Sequence, residues 1–587
     1  MKSHSISLLL LHVLKYASSL NAETLPPKAK AKDPRSKPSS FKRNLNEARA
    51  ARWYELGQGV LTLVENENFS GEAGHCVATS SDGQILAVSS PLYRNKNKNE
   101  LNNGRVRVFG FDPIRDKWVN MGSDIMGEEF SEFGSSISMD SFGKTLVIGM
   151  PVHDNDSGKE AGSVKVYSFE NVGGTGEEEW IQMGPILKGE NQYDHFGAAV
   201  SMSHDGRGIA VGSPNEEVLI DGNIREEVGV VRLYKHNPEE WTRLYKHNPE
   251  EWTRLYKHNP EEWVEIAKIK GGLGFEHFGT AIGLGWNRQN AIELGWNRQN
   301  LVVGAPDHGP YGSGMIRFFD FNGENGAYTQ VGEVPSVWAG DRFGVAVDMS
   351  WDGKTVIAGA PRHKGNDYMA LSGHAHVYQR VEVVNATDSS EPPSIKWERK
   401  GQSLVGLEQG DQAGTSVSVS GDGNTVAVGS AYSDKMGKNS GRIKIYLWDG
   451  VDSWEDMDLD VEGHGPLDYL GTSVSISQDG TEVAVGAPGG QYAKIFALRS
   501  TQPPTMSPIA FKEETDIIAK KSKKRVGGFR VFFNILVIAL LTITCIFGVF
   551  KAGQFFMRKM KDGKLEAVPP SDLEMRMKED GEEGEML

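Results

Sequence analysis

FGVAVDMSWDGKTVIAGAP, residues 343–361, is one of seven variants of the same phrase in this chain. It opens on Phe-Gly, alternates small apolar with polar residues, turns at Asp352-Gly353 and closes on an apolar run ending in Gly359-Ala360-Pro361. Asp-Gly tolerates the positive φ that two-residue hairpin turns need, so the stretch predicts two antiparallel strands. The second strand is almost wholly apolar and has to be covered on both faces.

The other copies are GHCVATSSDGQILAVSSP (74–91), FGSSISMDSFGKTLVIGMP (133–151), FGAAVSMSHDGRGIAVGSP (196–214), FGTAIGLGW…LVVGAP (278–306), AGTSVSVSGDGNTVAVGSA (413–431) and LGTSVSISQDGTEVAVGAP (470–488). Their first glycines recur every 57 to 82 residues, the spacing of an array of supersecondary units. A further strand follows each copy, for example GRVRVFGF (104–111) or GMIRFFDF (314–321). In five units the next strand opens near Trp118, Trp180, Trp263, Trp397 or Trp454. One unit is thus a four-stranded antiparallel meander, and seven make an all-β, seven-bladed β-propeller over residues 53–500. The last unit stops at YAKIFAL (492–498) without its Trp strand, while Trp53–Gly57 ahead of the first unit matches Trp397–Gly401. The N-terminal strand is therefore expected to complete the last blade, closing the ring and removing an open sheet edge.

Two duplications distort the period. RLYKHNPEEWT (232–242) recurs at 243–253 and, as RLYKHNPEEWV, at 254–264; LGWNRQN stands at 284–290 and 294–300. Setting aside 22 and 10 residues restores the spacing, so these are extensions of units three and four. The first predicts an added hairpin turning at Asn-Pro. The second is expected to break the first hairpin of unit four, which also lacks the DG turn.

Formal charge is −15, which argues against a nucleic-acid surface. The two cysteines, Cys76 and Cys545, do not predict a disulfide within the propeller, because Cys545 lies in VFFNILVIALLTITCIFGVF (531–550). That uncharged stretch of twenty residues matches the hydrocarbon core of a bilayer and predicts one transmembrane helix. Residues 1–22 have a basic start, an apolar run and small residues near Ala17–Ser19, the pattern of a secretory signal peptide. Residues 23–52, with nine Lys or Arg, three acids and four prolines, read as a basic disordered linker. Residues 501–530 form a juxtamembrane linker, and 551–587 a short disordered tail on the cytoplasmic side. The signal peptide implies a single-pass type I protein of the plasma membrane or endomembranes. The KKSKKR cluster (520–525) before the span points the other way. Asn68, Asn155 and Asn385 stand in N-x-S/T sequons.

The pairing of Phe343-Gly344 with Gly359-Ala360-Pro361 resembles the FG-GAP repeat, which builds the propeller heading integrin α chains. The likeness spans about 450 residues and implies the fold; without the leg domains of an integrin α chain, the protein is similar to the propeller alone on a single span. Calcium loops of that family need several carboxylates converging on one hairpin turn. The matching turns SSDG (80–83), SHDG (203–206), SWDG (350–353), SGDG (420–423) and SQDG (477–480) each offer one Asp, so calcium sites of the family type are mostly degenerate. Asp154-Asn155-Asp156-Ser157-Gly158 is the nearest remnant, and its alternative is a plain polar loop.

Strand direction places the loops after GAP and those leading into the next FG on one face, which in integrins is the ligand face. Two residues ahead of the Phe position stand Asp194, Glu276, Asp341, Asp411 and Asp468. They read either as a ring for a cation or basic ligand, or as caps of the turn into the inner strand. Asp456, Asp458, Asp460 and Glu462 alternate along the outer strand of blade six, so one face would carry all four. No GxSxG, HExxH or CxxC pattern marks a catalytic or metal centre. The expected function is therefore binding of a protein or glycan through the loop face, in adhesion or sensing, and not catalysis. A cytosol-facing tail-anchored scaffold and a hydrolase with paired channel carboxylates are the alternatives. With a tag after Leu587, protease added to intact cells is expected to remove the propeller and spare the tag. Protection that ends when the plasma membrane alone is permeabilised would select the scaffold, and protection that persists until internal membranes open would place the propeller in a lumen.

Overall fold

The computed structural model describes residues 51–57, 61–62, 71–94, 101–172, 177–236, 263–286, 299–322, 327–364, 370–383, 394–459 and 461–500. Seven antiparallel blades of four strands follow one another along them. Blade five shows the pattern: Ala346–Met349 innermost, then Thr355–Ala360, His374–Val383 and the outer Ser394–Arg399. The seventh blade is completed by the N-terminal strand Ala51–Glu55, with Trp53 opposite Leu498 and Glu55 opposite Phe496, as its sequence match predicts. All six residues of Thr355–Ala360 and of Thr425–Ser430 are buried, because each blade packs between two others.

The FG and GAP glycines meet twice. Within a blade, Gly344 N–H donates to Gly359 O (2.9 Å) and Gly471 N–H to Gly486 O (3.0 Å). Between blades, a methyl group on Gly359 would lie 2.0 Å from Gly414 O, one on Gly304 1.9 Å from Gly344 O, and one on Gly486 1.9 Å from Gly74 O. Each GAP glycine thus carries the backbone of the following blade's FG glycine, and the last such contact, 486 against 74, joins blade seven to blade one.

The polar letters of the inner strand have a second role. Ser138 takes the N–H of Met202 (3.0 Å), Ser201 that of Leu284 (3.2 Å), Ser418 that of Ile476 (3.2 Å) and Ser475 that of Thr79 (3.2 Å). Asp348 does the same for Val419 (2.8 Å). Side chains of one inner strand therefore satisfy backbone donors on the exposed edge of the next. On the DG side, turn joins turn: Gly421 N–H to Gln478 O, Gln478 to Ser81, Ser81 to Ser141, Ser141 to His204 (2.8–3.1 Å). The chain of bonds stops before blade four, which has no DG turn, and Trp351 of blade five stacks on His204 of blade three instead (4.1 Å, 15°). At the rim, indole N–H groups reach back to the preceding blade, Trp180 to Met121 O (2.8 Å) and Trp454 to Lys400 O (2.7 Å). Blade four has Tyr328 at this position, tilted against Phe321 with ring centroids 5.1 Å apart.

Two expectations differ from the structure. The duplicated LGWNRQN does not break the first hairpin of blade four: Ala281–Trp286 and Gln299–Ala305 pair from Ala281↔Gly304 to Trp286↔Gln299. The ladder has six pairs here against four in blade five, and it extends into the duplicated segments at Trp286 and Gln299. The acids of blade six do not share one strand face, because the outer strand is split into Trp454–Asp456 and Val461–Glu462 with Asp458 at φ +53° between them. Asp456 pairs with Lys444, and Glu462 with Lys435 and Arg442. Asp460, the added 22-residue hairpin, the signal peptide, both linkers, the 531–550 span, the tail, Asn68 and Asn385 lie outside the described residues. Among the described residues no helix is long and apolar enough to cross a membrane.

Gly359→Ala is expected to lower stability by about 1–3 kcal/mol, since backbone would have to move out of the way. Gly110→Ala, at a site with open space, is expected to leave it unchanged. Thermal unfolding of the two variants distinguishes close approach from a general intolerance of alanine.

Candidate functional site

The acids ahead of FG lie where the chain leaves one blade for the next. Asp194 accepts Asn191 N–H (2.9 Å), Asp411 those of Leu407 and Glu408 (3.0 and 2.9 Å), and Asp468 that of His464 (2.7 Å). Glu276 accepts Gly272 N–H. Four of the five, Asp194, Glu276, Asp341 and Asp411, are at most 2% exposed. The oxygens of Asp194, Glu276, Asp411 and Asp468 fasten the loop from inside, in the manner of the capping alternative of the sequence reading, because a short turn leaves N–H groups three or four residues upstream without partners. Asp341 is the exception: its Oδ2 accepts the Ser336 hydroxyl (3.1 Å) and faces His363 Nδ1 (3.1 Å) rather than a backbone donor.

These fasteners hold a displayed surface. Of the 24 large apolar side chains exposed among the described residues, 14 lie in loops of this one face, against five at the DG end. Phe130, Tyr193, Phe275, Tyr311, Trp338 and Leu467 are among them. Phe130, Tyr193, Phe275 and Leu467 occupy positive-φ positions directly before the acid or, at Ser131, before its hydroxyl replacement, a backbone bend that presents the side chain outward.

Where blades two and three meet, the same face opens into a cleft of about 770 Å³ lined by Tyr193, Asp194, Asn215, Glu217, Leu219, Ile224, Glu226 and Glu227, among others. The hairpin Val218–Ile220 and Asn223–Arg225 forms one wall, its Leu219 and Ile224 paired and exposed. Burial, helped by the Glu216 carboxylate, pushes Asp194 up to about 6. Behind it Arg232 is clamped by Glu216 (2.6 and 2.9 Å) and Glu190 (2.7 Å). The exposed carboxylates of this cleft, Glu217 and Glu226, carry no repeat signal. The long spacing from Pro214 to Gly229 and the Asp221-Gly222 turn are the sequence features that mark the extra hairpin.

Asp154 and Asp156 are separately engaged: Asp154 accepts Glu160 N–H (2.8 Å), and Asp156 pairs with Lys188 (2.6 Å). Asn155 donates its amide to Gly162 O (2.7 Å). Cys76 bonds Ser135 O, and burial pushes its thiol up to about 12, away from the nucleophilic thiolate form. No known protein family matches the chain, and no curated protein matches it.

The inner strands carry a single carboxylate among the described residues, Asp348. It is partly accessible yet enclosed by neighbouring strands, and desolvation pushes it up to about 6 despite bonds from Val419 and Ser418. A carboxyl raised in the folded state contributes stability that is complete below about pH 4 and is lost as pH rises through about 6. Asp348→Ser supplies the hydroxyl that Ser201 and Ser418 use elsewhere in the ring. It is expected to raise the melting temperature at pH 8 and to give a smaller gain at pH 5. An equal gain at both values would show that the charge is not the cause.

Proposed function

We propose that this chain is an FG-GAP-type propeller, tethered by residues 531–550 as a type I membrane protein, that binds a ligand through its loop face in adhesion or sensing. The observation that carries the reading is the crowding of exposed aromatic and aliphatic side chains onto one face, beside an acidic cleft. Aromatic anchors with a polar surround are the pattern of protein interfaces. The mixture of aliphatic and aromatic groups favours a protein ligand over a glycan, and Glu217 and Glu226 favour a basic one. What supports binding over hydrolysis in the channel is that Asp348 is occupied by Ser418 and Val419, with no second inner-strand carboxylate among the described residues to share the work.

The test is proximity labelling by the full chain in its own cells. The variant Tyr193→Ser/Phe275→Ser/Trp338→Ser is expected to lose the partners that the unaltered chain labels. A control on the opposite face, Ile114→Ser/Val451→Ser, is expected to keep them. Equal labelling by all three would overturn the assignment of the face.

A further inference from the structure

Blades four and five treat the same three positions differently. In blade four, the buried Glu276 is neutralised by Arg317 through two bonds, 2.9 and 3.0 Å, with His308 Nδ1 at 2.7 Å. Blade five has Asp341 for Glu276, His363 for His308, and His376 for Arg317, while His374 replaces Met315. The arginine is gone, yet the carboxylate stays buried at 2% exposed, holding among the described residues only the Ser336 hydroxyl and one imidazole. A buried carboxylate without a full counter-charge is costly, and an imidazole is not a permanent cation.

Three donors converge there. One atom each from Asp341, His363 and His374 all lie within 4.8 Å of one another. The His363 and His374 rings are 4.0 Å apart, and His374 stacks on His376 at 4.0 Å and 12°. Among the described residues the buried His374 ring has these ring contacts and no hydrogen bond, so its nitrogens are available to a ligand. Two imidazoles and one carboxylate are a donor set for zinc-class ions and too poor in oxygen for calcium. The Ser336 hydroxyl bonded to Asp341 would orient that carboxylate from outside the coordination sphere.

We propose that Asp341, His363 and His374 form a binding site for a zinc-class divalent transition metal, with a fourth coordination position left for water or a ligand group. The ion would supply the positive charge that Arg317 supplies to Glu276 one blade earlier.

The full chain, stripped with chelator and dialysed, is titrated with Zn²⁺ alone by calorimetry and with Co²⁺ by visible absorption. One equivalent of Zn²⁺, a tetrahedral Co²⁺ spectrum and a raised melting temperature are expected. His374→Gln and His363→Gln should each weaken binding by at least about 100-fold, the upper end of what loss of an outer partner costs. His308→Gln, the matching position of blade four, should bind as the unaltered chain does. Since His374 is buried, the more exposed His363 carries the test if the His374 variant does not fold. No stoichiometric uptake by the stripped chain, or equal affinity in His363→Gln and the unaltered protein, would overturn the site.

Discussion

Everything in this propeller depends on how closely one glycine can approach another. The carbonyl of each FG glycine sits where a side chain on the preceding GAP glycine would be, at 1.9–2.2 Å from the position of a methyl carbon in the contacts 149/197, 212/279, 304/344, 359/414, 429/471 and 486/74. Only a residue without Cβ permits that distance. The approach brings the inner strands near enough for a serine on one to take an N–H of the next, as between Ser418 and Ile476. Two motifs that look like one unit of sequence are thus the two halves of a joint between units. Blade one departs from the pattern with Ser89, and there Gly134 meets a side chain instead of backbone.

A joint of this kind constrains the inner hairpins and leaves the loops free. The DG end uses its freedom to bind turn to turn and closes with the stack of Trp351 on His204. The other end does the opposite. Its acids turn inward and rigidify short loops, so that aromatic side chains beside them can stand in solvent at little entropic cost. Rigid scaffold and displayed surface are one arrangement: the buried Asp194 or Asp411 is the reason its neighbours hold their exposed positions.

The same loop frame accepts different solutions to one electrostatic problem. A carboxylate buried between blades must be capped by N–H groups, as at Asp411; paired with arginine, as at Glu276; or given some other cation. In blade five, with histidines where arginine would stand, the partners of the Asp341 carboxylate among the described residues are a hydroxyl and an imidazole. Asp348 in the inner strand is a further departure, a charge at a position where Ser201 and Ser418 show that a hydroxyl suffices.

Much of this was legible in the letters. Seven copies of a strand–turn–strand phrase, and a Trp strand missing from one end and present at the other, determined the blade count and the pairing of Trp53 with Leu498. Local periodicity carries such information because a strand's two faces differ in every copy. The strong repeat signal nevertheless describes packing, and four of the five acids it picked out, Asp194, Glu276, Asp411 and Asp468, accept N–H groups of their own loops. Tertiary structure alone decided which residues stand in solvent at Tyr193 and Trp338, that Glu217 and Glu226 flank a cleft, and that Asp341, His363 and His374 converge from a stretch of 34 residues. Those groupings depend on loops that obey no period, and on distances between segments that only the closed ring brings together.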